Sequence, residues 1–211
     1  MKPIFISMYT FDDIYFEAQK RLVESLNQFK IYYKIYEIED LGNWHLNTNQ
    51  KAETILKAMQ EFPENDIVWV DADAVIKKKP ILFSRIKQDI AYHRLEGKDE
   101  LLSGTLYLKN TYIMQLFVSS WISLNNSNGL LEQKNLDHLL KNNPQISIYH
   151  LPASYCKIFD NRFQTNAEDI IVHYQASRIL RNKVNDKIID NEAILIKKKI
   201  GNSTIKYKVK L

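Results

Sequence analysis

Cysteine is nearly missing from this sequence: Cys156 stands alone among 211 residues. A single thiol excludes an internal disulfide framework and fits a reducing cytoplasm. With only five scattered histidines beside it, it also excludes a zinc ribbon or finger. Cys156 follows Pro152-Ala153-Ser154-Tyr155 with no nucleophile motif around it, so a structural role is expected. Long apolar runs are missing as well, and none approaches the roughly 18 residues that span a bilayer. The opening MKPIFISMYT soon meets Asp12 and Asp13, and reads as a buried first strand rather than a signal peptide. Glycine is scarce while Asn, Ile and Lys abound, a bias that points to an AT-rich genome and says little about chemistry.

What remains is ordinary globular composition, with 45% hydrophobic and 26% charged residues. The length suits one α/β domain with a real core, residues 1–211, of which 178–211 form a basic extension. From Arg178 onward there are ten Lys or Arg against three acids, so the preceding residues carry about −3 of the net +4. Any polyanion contact would concentrate at that tail, although lysines also keep an exposed strand edge from aggregating.

Hydrophobic periodicity predicts a strand over 3–8 and a helix after it capped by Asp12 or Asp13. A strand over 31–38 follows, then a polar, irregular stretch over 40–49, a helix over 51–62 and a fully apolar strand over 66–70. Strand, helix, strand, helix, strand predicts a doubly wound, Rossmann-like parallel sheet, which binds ligands at the carboxyl ends of its strands. Further strands are expected over 90–94, 101–108, 146–151 and 170–174, and helices over 111–124 and 130–140. Residues 193–209, with Gly201-Asn202 midway, form an expected β-hairpin.

The third strand ends in Asp71-Ala72-Asp73. Two carboxylates this close raise each other's pKa unless a cation relieves them. Mg²⁺ or Mn²⁺ prefers such oxygens and keeps positions open for water or phosphate. Held there, it could bridge the phosphates of a nucleotide diphosphate. A chance turn at the strand end is the bland alternative.

The stretch DIVWVDADAVIKKKP resembles the core of nucleotide-diphospho-sugar glycosyltransferases of the GT-A fold, whose Asp-x-Asp follows a helix that begins near a Lys, here Lys51. The resemblance extends to SGTLYLKNT at 103–111, LEQKNLDHLL at 131–140 and IVHYQASR at 171–178, in the order such enzymes show. It implies a hexosyl- or pentosyltransferase using Mn²⁺ or Mg²⁺ and a nucleotide-sugar donor, UDP-sugars favoured. It also implies His173 as a third metal ligand beside Asp71 and Asp73. Glu132 and Gln133 then fall around the acceptor and the reacting carbon. Glu132 is a candidate base for an inverting reaction and Gln133 a stabiliser for a retaining one.

Donor contacts are expected from several other residues. Lys51 at its helix start and Arg178 suit phosphate, and Gln175 follows His173 closely. Ser103 and Gly104 suit close backbone approach to a sugar. Tyr9 and Thr10 lie where family members hold the nucleoside, and Tyr9 can stack on a base. The acceptor stays open between a glycan, a protein and modified DNA. Two alternatives stand beside this reading. A nucleotidyltransferase usually carries a Gly-rich basic loop after the first strand, where this chain has SMYTFDD. A non-catalytic module of the same fold would dock on nucleic acid or membrane through the basic tail.

Overall fold

The computed structural model describes residues 2–95, 97–159, 168–176, 193–200 and 203–210. The chain divides into two compact units, Met1–Tyr174 and Gln175–Leu211.

In the first unit, β1 (Ile4–Thr10) and β2 (Tyr33–Ile38) flank α1 (Asp13–Gln28), and α2 (Trp44–Glu61) leads to β3 (Ile67–Val70). The chain continues through β4 (Ala74–Ile76), a 3-10 turn at Ile81–Arg85, β5 (Ile90–Leu95), β6 (Glu100–Leu108), α3 (Tyr112–Asn128) and α4 (Glu132–Lys141). It ends with the short strands β7 (Ile148–His150), β8 (Lys157–Ile158) and β9 (Ile171–His173). The main sheet runs β2-β1-β3-β6-β5-β7, and β4-β9-β8 form a small second sheet. β1 pairs in parallel with β2 and β3, and β5 with β7, whereas β6 runs antiparallel between β3 and β5. The α/β sheet is therefore mostly parallel, with one reversed strand that period-two patterning does not reveal.

Both faces of the sheet are buried, which is why its strands read as continuous apolar runs. Ile4, Ile6, Ile67 and Trp69 pack with Ile55, Met59, Phe117 and Trp121 of α2 and α3. Alternate residues Phe5, Val68 and Val70 pack on the opposite face with Leu22, Leu26, Phe83 and Ile171.

The starts of α1, α2 and α3 are set by side-chain caps. Asp12 Oδ1 accepts from the amides of Ile14 and Tyr15, as one of the two expected caps. Asn43 accepts from the His45 amide and starts α2 at Trp44, so the stretch expected to be irregular is mostly helix. Lys51 consequently lies in the middle of α2, not at its start.

In the second unit, β10 (Ala193–Ile200) and β11 (Ser203–Lys210) pair antiparallel, with Lys197 opposite Lys206. This is the expected C-terminal hairpin.

Candidate active site

β3 delivers its last residue to the carboxyl edge of the sheet, and Asp71-Ala72-Asp73 turns there into β4. The turn is closed by the Ala74 amide donating to the Asp71 carbonyl (2.9 Å). β4 then pairs antiparallel with β9, which sets Ala74 opposite His173. That pairing brings together residues a hundred positions apart. One ligand atom from each of Asp71, Asp73 and His173 lies within 4.8 Å of the others.

The surroundings fix which atoms face inward. Asp71 Oδ1 accepts from the Trp69 indole (2.8 Å) and pairs with Lys51 Nζ (3.1 Å), and Oδ2 turns toward Gly104. His173 Nε2 contacts Thr105 Oγ1 at 2.8 Å, while Nδ1 stands 3.4 Å from Asp73 Oδ1. A proton on Nε2 shared with Thr105 leaves the Nδ1 lone pair for a cation, the outer-shell arrangement that orients ligating imidazoles. Burial favours a neutral His173, but Asp73 and the buried Cys156 thiol outweigh it and push its pKa up to about 10. A proton thus stands where a cation would, and two carboxylates with one imidazole form a donor set that fits Mn²⁺ or Mg²⁺. Gly104 leaves the room: a Cβ there would meet His173 Cε1 at 3.1 Å and Asp71 Oδ2 at 3.3 Å. Its missing side chain makes room for these two residues.

A second polar cluster adjoins the first. Lys51 Nζ, 4% exposed, reaches Glu132 Oε1 (2.8 Å), Ser103 Oγ (3.1 Å) and the Ser103 carbonyl (3.2 Å) as well as Asp71. Burial works against its charge, yet Asp71 and Glu132 together hold its pKa above the ordinary lysine range. The helix start expected beside Lys51 is two turns away, and its ammonium neutralises carboxylates of the site itself. Glu132 opens α4 and is 5% exposed. Its Oε1 also accepts from Ser103 Oγ (2.7 Å), while Oε2 is buried with no partner among the described residues. Burial raises the Glu132 pKa, with Lys51 opposing. Gln133 is held by the Ser103 amide on its carbonyl (3.1 Å) and by Glu100 on its amide nitrogen (3.2 Å).

The remaining expected residues divide. Tyr9 is half-buried and donates to Glu37 (2.9 Å), its ring 6.2 Å from that of Phe16. Thr10 is buried, and its hydroxyl donates to Asp12 (2.7 Å). Gln175 begins the second unit with φ 58. Arg178 lies outside the described residues. Three contributors escaped sequence reasoning: Thr105, Cys156 and Tyr15. Tyr15 sits in the first turn of α1, and its pKa is raised by burial and by the charges of Asp73 and Asp71, with a hydrogen bond from Trp44 working against them. Only the fold brings it under the influence of the aspartates.

No protein-family model matches the chain, and no curated protein does. Solved structures do. A glycosyltransferase involved in the glycosylation of the major capsid of PBCV-1 aligns with TM-score 0.64 and 19% identity, over 82% of this chain and 93% of that one. GlyE of Streptococcus pneumoniae TIGR4 aligns with TM-score 0.61 and 14% identity, over 82% of this chain and 54% of that one. The bifunctional glycosyltransferase WbbM aligns with TM-score 0.55 and 11% identity, over 82% of this chain and 45% of that one. The chain thus spans about half the length of the latter two. Its mostly parallel sheet, with β6 reversed beside the Asp71–Asp73 edge, is the GT-A-like fold of glycosyltransferases.

Proposed function

We propose that this chain is a metal-dependent glycosyltransferase that moves a sugar from a nucleotide diphosphate, a UDP-sugar in preference, to a hydroxyl. The observation that carries this reading is the convergence of Asp71, Asp73 and His173 to within 4.8 Å at the carboxyl end of β3. A divalent cation held by them supplies charge stabilisation to the diphosphate leaving group.

The chain's own residues do the rest. Lys51 pairs with both Asp71 and Glu132, and its ammonium opposes the burial that raises the Glu132 pKa. Oε2 of Glu132 is a buried oxygen without a donor, a state a folded protein rarely leaves uncorrected, and a substrate hydroxyl would satisfy it. Burial keeps that carboxylate basic enough to take a proton from such a hydroxyl. Gln133 presents a fixed amide beside it, pinned by Ser103 and Glu100.

UDP with Mn²⁺ should raise the melting temperature, because a ligand at a hundred times its Kd stabilises by about 2.7 kcal/mol. Asp71→Ala and Asp73→Ala should each remove that gain. Absence of stabilisation by any nucleoside diphosphate with Mn²⁺ or Mg²⁺ would sink the reading. Where the transfer assay succeeds, the anomeric configuration of the product decides between Glu132 as base and Gln133 as stabiliser.

A further inference from the structure

Trp69 and Asp71 stand two positions apart at the end of β3. The Asp71 amide donates to the Gly104 carbonyl (2.9 Å) and carries the ladder one residue past the strand, so both side chains fall on one side of the sheet. The indole is 1% exposed and belongs to the core, where its N–H needs a partner. It donates to Asp71 Oδ1 at 2.8 Å. Lys51 Nζ meets the same oxygen at 3.1 Å and lies over the indole ring, 5.4 Å from its centroid.

A carboxylate offers about four lone-pair sites, two on each oxygen, and these two donors fill those of Oδ1. Oδ2 is left for a cation. It faces the bare side of Gly104, where an added Cβ would lie 3.3 Å from it and 3.3 Å from His173 Nδ1. The Asp71 side chain is still 38% exposed, so an ion from solvent can reach it. A carboxylate held this way offers a metal one oxygen rather than two. That restriction falls hardest on Ca²⁺, which gathers about six to eight oxygens and often takes two from one carboxylate. Mg²⁺ and Mn²⁺ favour octahedral sites and are served by one.

On the metal-dependent reading above, we infer that Trp69 is a positioning residue that restricts Asp71 to a single oxygen and so sets the cation site against Ca²⁺.

The test uses the metal-free full chain. The Kd for Mn²⁺ is read from the electron paramagnetic resonance of the free ion, and the Kd for Ca²⁺ from displacement of bound Mn²⁺. Trp69→Phe removes the N–H. The sulfur analogue 3-benzothienylalanine at position 69 removes it while keeping the shape of the ring, and it decides the matter if the first variant does not fold. In both, the ratio of the Ca²⁺ Kd to the Mn²⁺ Kd should fall about tenfold, the low end of what outer-shell changes cost metal sites. If both Kd values move by the same factor, the inference is overturned, and the indole only fills the core and satisfies its own N–H. A wild type that binds Ca²⁺ more tightly than Mn²⁺ overturns it as well. A wild type that binds neither cation fails the metal-dependent reading itself, and the inference falls with it. A wild type that binds Mn²⁺ and gains stability from UDP upholds that reading whichever way the ratio moves.

Discussion

Gly104 carries no side chain where Asp71 and His173 need the space, so its replacement tests the cation site without touching a ligand. Gly104→Ala places a methyl 3.1 Å from His173 Cε1, and the imidazole must give by a few tenths of an ångström. Mn²⁺ affinity, measured by calorimetry, should fall at least several-fold, in line with the 10–100-fold that outer-shell changes cost metal sites. Lys51 tests the adjoining cluster. Lys51→Met leaves Glu132 buried without its cation and should cost about 3–5 kcal/mol in urea unfolding of the metal-free protein. The folded pKa of Glu132 is already raised, so the folded state binds more protons than the unfolded one just above pH 4.5. Stability from this group therefore falls as pH rises through that window. Removing Lys51 raises the folded pKa further, and the deficit of Lys51→Met should be smaller at pH 5 than at pH 8. At this scale part of the candidate site was legible in the sequence. Asp71 and Asp73 were legible because a fully apolar strand stops at them. His173 was legible only through a likeness to other enzymes, and Lys51's partners were hidden because burial of an ammonium leaves no local pattern.

Elements decide where those residues stand. α2 begins at Trp44, yet LGNWHLNTNQ reads as loop because Gly, Asn and Thr disfavour helix in isolation. The Asn43 cap and the His45–Leu130 contact override that local preference. β4 and β8 escaped notice since three and two residues are too short for a period-two signal. α4 is registered by a buried amide cluster rather than by apolar contacts alone. Asn135, fully buried, donates to Asn125 (2.9 Å) and accepts from Asn128 (2.8 Å), and so links α4 to α3. Asn135→Leu strands both neighbours and should destabilise the chain by about 1–3 kcal/mol in urea. Because α4 starts with Glu132 and Gln133, the same variant should lower transfer more than it lowers UDP–Mn²⁺ binding.

The two units differ in charge as well as in fold. Residues up to Tyr174 carry about −3 and those beyond about +7. Asp71, Asp73, His173, Lys51 and Glu132 all belong to the first unit. Deleting residues 193–211 should therefore preserve the UDP–Mn²⁺ thermal shift. The same deletion should weaken retention on a polyanion such as heparin and flatten its salt dependence. Retention unchanged by the deletion would remove the basic tail from consideration as a polyanion contact.

The pairing of β4 with β9 has a further effect on how this protein comes to work. Two of the three proposed ligands, Asp71 and Asp73, are present when a third of the chain exists, but the last arrives only with His173. A chain interrupted between β7 and β9 keeps every strand of the main sheet and yet lacks His173. On the proposed reading, donor binding would report on near completion of the chain, and a cation held by the three residues would clasp an early turn to a late strand.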